Sequence, residues 1–239
     1  MKYFFKNNIY IYILFCLIIV ILPVKSRNKL FKQYVSLSKE IPKKCWLHRT
    51  NSVEKLQELS SKYKGVEIDV FFDKEKLEFY VGHDLEKEME ISLEQMLERI
   101  DKNKKIWLDI KNLNITNYVE LLKKLNELLK KYDLDKNNFI LEGDKYELLS
   151  FYKKEGFYVS YYDKFELENK TKDEIEKWKR NLEMIQKYVS AISFTEKKYK
   201  YIKNFNLNID LLTWTSSKEW EFLYLKKEKC YKIIKLKLF

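Results

Sequence analysis

At 239 residues, with 46% hydrophobic and 16% aromatic content, the chain is long enough to build one sizeable core. Only four glycines and two prolines exclude a collagen-like, repetitive loop-rich or disordered chain. A formal charge of +11 would suit nucleic acid, anionic lipid or a phosphate-bearing substrate, but the Lys and Arg residues are interleaved with Glu throughout. That is the pattern of solvated helix surfaces, and with no nucleic-acid-binding motif beside it, nucleic acid is not an expected partner.

Lys2 and Lys6 precede an apolar run, residues 9–24, that carries no charge. At 1.5 Å per residue the run spans about 24 Å, and flanking lysines can snorkel across the difference from a ~30 Å hydrocarbon core. We read 1–26 as an N-terminal membrane anchor, a single transmembrane helix, or as a secretory signal with its cleavage site after Ser26. Residues 27–43 form a polar tether and 44–239 the folded domain. This expects a membrane-anchored protein with an extracytoplasmic domain, or a secreted one after signal cleavage. Basic residues flank the run on both sides, so the positive-inside rule gives no orientation. Three cysteines at unrelated spacings give neither a disulfide framework nor a zinc site.

From residue 44 the chain alternates. Short apolar runs predict strands at 44–48, 65–71, 78–82, 105–110, 138–142, 157–161, 190–194, 208–213 and 231–236. Helical periodicity fills the gaps near 51–63, 92–101, 114–132, 144–154, 169–188, 195–204 and 216–226. Leu121, Leu122, Leu125, Leu128 and Leu129, for example, share one helix face. Strand–helix alternation means a parallel sheet. With 78–82 set aside as a hairpin strand, the count is that of an α/β fold, a (β/α)8 TIM-type barrel, in which the site gathers at the C-terminal strand ends.

Polar residues fall where that architecture would put a site. His48 and Arg49 close the first strand, Glu67 and Asp69 lie toward the end of the second, His83 and Asp84 end the hairpin strand, and Asp109 and Lys111 end the next. Residues two apart on a strand share a face, so Glu67 projects with Asp69, and Asp109 with Lys111. Val66, Ile68 and Val70 take the opposite face. In a barrel both faces are covered, so such carboxylates must be paired, metal-bound or at the rim. Glu142 ends a later strand, and Trp214 ends another where it could wall a pocket.

The residue types specify the chemistry. Three carboxylates suit a hard, oxygen-preferring divalent cation, Mg²⁺ or Ca²⁺, better than zinc. Arg49 and Lys111 would bind the oxygens of a phosphodiester, and two histidines on different strands can serve as base and acid. No Gly-rich phosphate loop, G-x-S-x-G elbow or cysteine nucleophile is present.

His48-Arg49, Glu67-x-Asp69, His83-Asp84 and Asp109-x-Lys111, in this order, resemble the glycerophosphodiester phosphodiesterase family of the phospholipase-C-like barrel superfamily, and Leu212-Thr213-Trp214-Thr215 is similar to that family's tryptophan-bearing strand end. The resemblance implies a TIM barrel, a divalent cation held by Glu67, Asp69 and Asp109, and His48 and His83 as the acid/base pair. It also implies attack on phosphorus by an internal hydroxyl of the substrate alcohol, giving a cyclic phosphate. Three features depart from the family pattern: Thr50-Asn51-Ser52 follows the His-Arg pair, Asp109 stands for the usual glutamate, and Lys74-Glu75-Lys76 replaces an Asp-Gly turn. His48-Arg49-Thr50-Asn51-Ser52 with Trp107-Leu108-Asp109-Ile110-Lys111-Asn112 is closer to the menorin-like branch, and the aspartate ligand is also similar to the sphingomyelinase-D-like branch.

The expectation is a membrane-tethered, metal-dependent phosphodiesterase acting on a glycerophosphodiester or a lipid headgroup. The alternative is a non-catalytic tethered barrel that binds a phosphorylated lipid or polymer at the same mouth.

Overall fold

The computed structural model describes residues 46–84 and 90–214. Its frame is a sheet of seven strands: β1 (Gly65–Asp73), β2 (Glu78–Val81), β3 (Lys105–Ile110), β4 (Phe139–Gly143), β5 (Tyr158–Tyr162), β6 (Ala191–Thr195) and β7 (Asp210–Trp214), in the spatial order β2-β1-β3-β4-β5-β6-β7. Every pairing from β1 and β3 onward to β6 and β7 is parallel. Only β2 runs antiparallel, paired to the far end of β1. The turn between them is built by Asp73, whose Oδ1 accepts the backbone N–H groups of Glu75 (2.9 Å) and Lys76 (3.1 Å). A side chain thus does the work of the Asp-Gly turn that this chain lacks.

Helices fill the crossovers: α1 (Val53–Leu59), α2 (Leu93–Leu97), α3 (Tyr118–Lys131), α4 (Tyr146–Lys154), α5 (Lys172–Ile185) and α6 (Tyr199–Ile202). Each is shorter than its periodic pattern, and at several of them polar side chains set the first residue. Ser52 caps α1 through the Lys55 N–H, and Thr171 forms a reciprocal capping box with Glu174 at α5. Before α3, Asn114 and Asn117 tie up the backbone in local bonds, which delays the helix to Tyr118.

The sheet has two unlike faces. Ile68, Leu108 and Leu141 face the helices, packing with Leu56, Leu121, Leu125 and Leu149 in the larger core. On the opposite, inner face the register runs Glu67, Trp107, Ile140, Tyr158 across four strands, and two residues further on Asp69, Asp109, Glu142, Ser160. Trp107, Ile140, Ala191 and Leu212 make a second, smaller core there, with Trp46 and Tyr158 against it. The inner face is therefore apolar below and acidic toward the C-terminal strand ends.

Of the predicted first strand, 44–48, the described residues 46–48 make a single bridge, between Leu47 and Val66, and 44–45 lie outside the described residues. Leu47 donates to the Gly65 carbonyl (3.0 Å) and accepts from the Glu67 N–H (2.8 Å), after which Arg49 takes a positive φ of 52° and the chain leaves the ladder. Trp46 lies over Gly65 so closely that a Cβ there would stand 2.4 Å from the indole. Gly65→Ala would push that ring off its edge-on contact with Trp107. We expect a loss of about 1–3 kcal/mol, read as a lower melting temperature; an unchanged midpoint would mean the ring is not confined.

Two expectations are corrected here. The (β/α)8 barrel is an incomplete (β/α) barrel-like sheet: among the described residues β7 pairs on one edge only, with β6. The predicted last helix, 216–226, and last strand, 231–236, lie outside those residues. The N-terminal transmembrane helix is not upheld either, because among the described residues no helix is long and apolar enough to cross a membrane. The longest of them, α3 and α5 with 14 residues each, span about 21 Å and present a charged face. The run at 9–24 lies outside the described residues. Membrane anchoring, an extracytoplasmic domain and the membrane as a partner thus rest on no described element and are withdrawn.

Candidate active site

The acidic end of the inner face is a constructed site. Glu67, Asp69 and Asp109 each offer an oxygen, and these atoms lie within 4.8 Å of one another. Glu67 and Asp69 are buried and Asp109 is half-buried. Lys111, two residues after Asp109 on the same face, reaches back: its ammonium contacts Asp69 at 2.5 Å and also pairs with Asp109. Asn51 fixes Asp69 from the other side, donating to its carboxylate at 2.7 Å and accepting its backbone N–H at 3.0 Å.

The loop after Leu47 places the first histidine. The Arg49 N–H donates to the Glu67 carboxylate, and the Thr50 N–H to the Glu67 carbonyl at 2.8 Å. Lys55, from the first turn of α1, donates to the carbonyls of His48 (2.7 Å) and Arg49 (2.8 Å). So held, His48 brings Nε2 to 3.8 Å from Glu67. The second histidine is held by charged partners: the Arg49 guanidinium contacts His83 Nε2 at 2.9 Å, and Asp84 contacts Nδ1 at 3.1 Å. A guanidinium can only donate, so Nε2 carries the lone pair and Nδ1 the proton given to Asp84.

Charge in this confined space shifts the site's titration. Burial, with the Arg49 charge beside it, lowers His48 to about 4, so the imidazole is neutral at pH 7. Burial and the neighbouring Asp69 push Glu67 up to about 8. Burial pushes Asp109 up despite Lys111, whereas at Asp69 burial is outweighed by Lys111 and Asn51 and the carboxyl is lowered. Lys111 is desolvated, yet Asp109 and Asp69 hold its ammonium above the usual range. Glu142 is raised by burial, by Asp109 and by Glu67.

A pH dependence follows. The unfolded chain binds more protons than the folded one at His48 between pH 4 and 6.5, which makes stability rise with pH there. At Glu67 the folded state binds more between pH 4.5 and 8, which makes stability fall. The two oppose up to about 6.5, and above it only the fall remains. Metal-free protein should therefore melt at lower temperature at pH 8 than at pH 6.5, and a divalent cation should remove the decline. A flat or rising midpoint over that interval without cation would contradict the reading.

The donor set fits an oxygen-preferring cation. Three carboxylates lie close together, the Lys111 ammonium pairs with two of them, Asp69 and Asp109, and burial with Asp69 pushes Glu67 toward its neutral form, a setting that an oxygen-preferring cation would relieve. The sequence pointed to these three residues and to Lys111, and the structure brings them together with His48, while Arg49 and His83 form an adjoining pair. Trp214 sits at the end of β7, its ring edge-on to Tyr162 at 5.0 Å. Asn51 and Lys55 were missed. Asn51 was visible only as part of Thr50-Asn51-Ser52, the stretch that departs from the family pattern after the His-Arg pair, and nothing in sequence shows Lys55 reaching two carbonyls.

The family model for the menorin N-terminal domain matches residues 43–145, the part of the chain that holds both histidines and the carboxylate trio. No curated protein matches the chain. Among solved structures it is similar to a glycerophosphodiester phosphodiesterase from Parabacteroides distasonis, with TM-score 0.56, 15% identity, and coverage of 75% of this chain and 82% of that one. A phosphodiesterase from Oleispira antarctica, solved with the product sn-glycerol-3-phosphate, gives TM-score 0.55 and 15% identity over 77% and 89%. A glycerophosphodiester phosphodiesterase from Agrobacterium tumefaciens gives 0.53 and 12% over 77% and 91%. At such low identity these likenesses speak for the fold. By its structure, then, the chain has the fold of these glycerophosphodiester phosphodiesterases.

Proposed function

We propose that this chain is a metal-dependent phosphodiesterase acting on a glycerophosphodiester or a related lipid-derived phosphodiester. The observation that carries the proposal is the juxtaposition of three carboxylates with a neutral histidine at the strand ends of this fold. Glu67, Asp69 and Asp109 would hold the cation, Mg²⁺ or Ca²⁺. When bound, the ion supplies positive charge to the phosphoryl oxygens as negative charge builds on them.

The protein's own groups do the rest. Arg49 and Lys111 donate to the phosphate oxygens, and Trp214 flanks the alcohol portion. His48 takes the proton from the attacking hydroxyl as its oxygen bonds to phosphorus. His83, held at Nδ1 by Asp84, takes up a proton on Nε2 as Arg49 turns from it to the phosphate, and gives that proton to the departing oxygen as its bond to phosphorus breaks. Each such proton transfer typically contributes ~10²–10⁴-fold.

The test offers the full chain a panel of glycerophosphodiesters and choline lysolipids, with EDTA, Mg²⁺ or Ca²⁺. Cation-dependent release of one alcohol is the expected result, and the preferred substrate assigns the branch. Absence of turnover, alongside phosphate-ligand binding that survives His48→Ala, would favour a non-catalytic phosphate-binding barrel.

A further inference from the structure

The acidic row does not stop at Asp109. Across the next pairing Asp109 stands opposite Glu142 on β4, and Glu142 opposite Ser160 on β5, all on the inner face. Glu142 is only 3% exposed, and its Oε2 has no hydrogen-bond partner; the Oγ of Ser160, fully buried, has none either. Such atoms are costly: each buried polar group left unmade loses about 1–3 kcal/mol. Two of them side by side, next to a candidate cation ligand, mark where a polar guest completes the bonding.

We propose that Glu142, with Ser160 beside it, is a positioning residue of the cation site, accepting a hydrogen bond from a water in the shell of the ion held by Glu67, Asp69 and Asp109. This rests on the metal reading above. Glu142 joins the cluster from one strand further along the row and is not one of the three mutually close donors. A role through water suits that place, because hard cations keep part of their hydration when few carboxylates bind them directly. Outer partners of this kind typically contribute 10–100-fold to metal affinity. Ser160 supplies a hydroxyl that can donate to the same water.

The test is calorimetric titration of Mg²⁺ and of Ca²⁺ into the metal-free full chain, its Glu142→Gln, Glu142→Asp and Ser160→Ala variants, and Asp109→Asn as a direct-ligand control. Glu142→Gln should weaken binding about 10–100-fold, Glu142→Asp should recover part of the loss, and Ser160→Ala should show a smaller one. Circular dichroism of the metal-free forms separates this from a packing defect, which would lower the melting point without changing cation affinity in the folded protein. Cation affinity unchanged in Glu142→Gln would overturn the inference alone. If that variant does not fold, unchanged affinity in Ser160→Ala overturns it. A wild-type chain that binds neither ion would overturn the metal reading itself.

Discussion

Replacing His48 with alanine should lower phosphodiester turnover by ~10²–10⁴-fold while leaving the fold intact. The imidazole is partly exposed, so its removal opens no core cavity, and the loop that carries it is tied by backbone bonds that Ala retains. Its free lone pair is what the reaction would use. Burial and Arg49 keep it neutral well below pH 7, so a base is ready across the physiological range. The check is steady-state kinetics of both proteins at saturating cation. The loss should fall on kcat, because in the proposed reaction the histidine would act on the proton in flight and not on the resting phosphate. A variant with full kcat would remove His48 from the chemistry and leave it a spectator at 3.8 Å from Glu67.

The second large effect is on stability. Lys111→Met, which keeps most of the side-chain volume, should cost the metal-free protein about 3 kcal/mol, the lower end of the 3–5 kcal/mol for a broken buried pair, since Lys111 is one-fifth exposed. The ammonium is the cation seen between Asp69 and Asp109, and without it their charges face Glu67 and each other in a water-poor setting. Those groups can respond by taking up protons, so the deficit should grow as pH rises. Millimolar Ca²⁺ or Mg²⁺ should restore much of the lost stability. Thermal unfolding of wild type and variant, with and without cation, measures both effects. A destabilised variant that no divalent cation rescues would mean that the trio is a structural ion-pair network.

Much of this was legible in the chain. Strand–helix alternation is easy to read because buried parallel strands are short apolar runs while the helices are amphipathic, as Phe139-Ile140-Leu141 and Leu121 to Leu129 show. The carboxylate trio is readable because spacing of two on a strand is unambiguous about face. What sequence could not give are contacts set by register and loop path. Arg49 meets His83 across 34 positions only because the hairpin β1–β2 folds back over the loop after Leu47. Glu142 becomes part of the site only through the alignment of β4 with β3, one residue at a strand end being weak as a sequence signal. The membrane expectation failed for a different reason. It rested on the composition of one N-terminal run, and no described helix carries it.

The central claim is that the carboxylate trio and its histidines form a cation-dependent phosphodiester-cleaving site. It is tested most directly by turnover of a glycerophosphodiester by the full chain after EDTA treatment, with Mg²⁺ or Ca²⁺ then returned. The account predicts no turnover in EDTA, recovery on adding the cation, and no recovery in Asp109→Asn. Turnover that is indifferent to EDTA, or that Asp109→Asn retains in full, would contradict it.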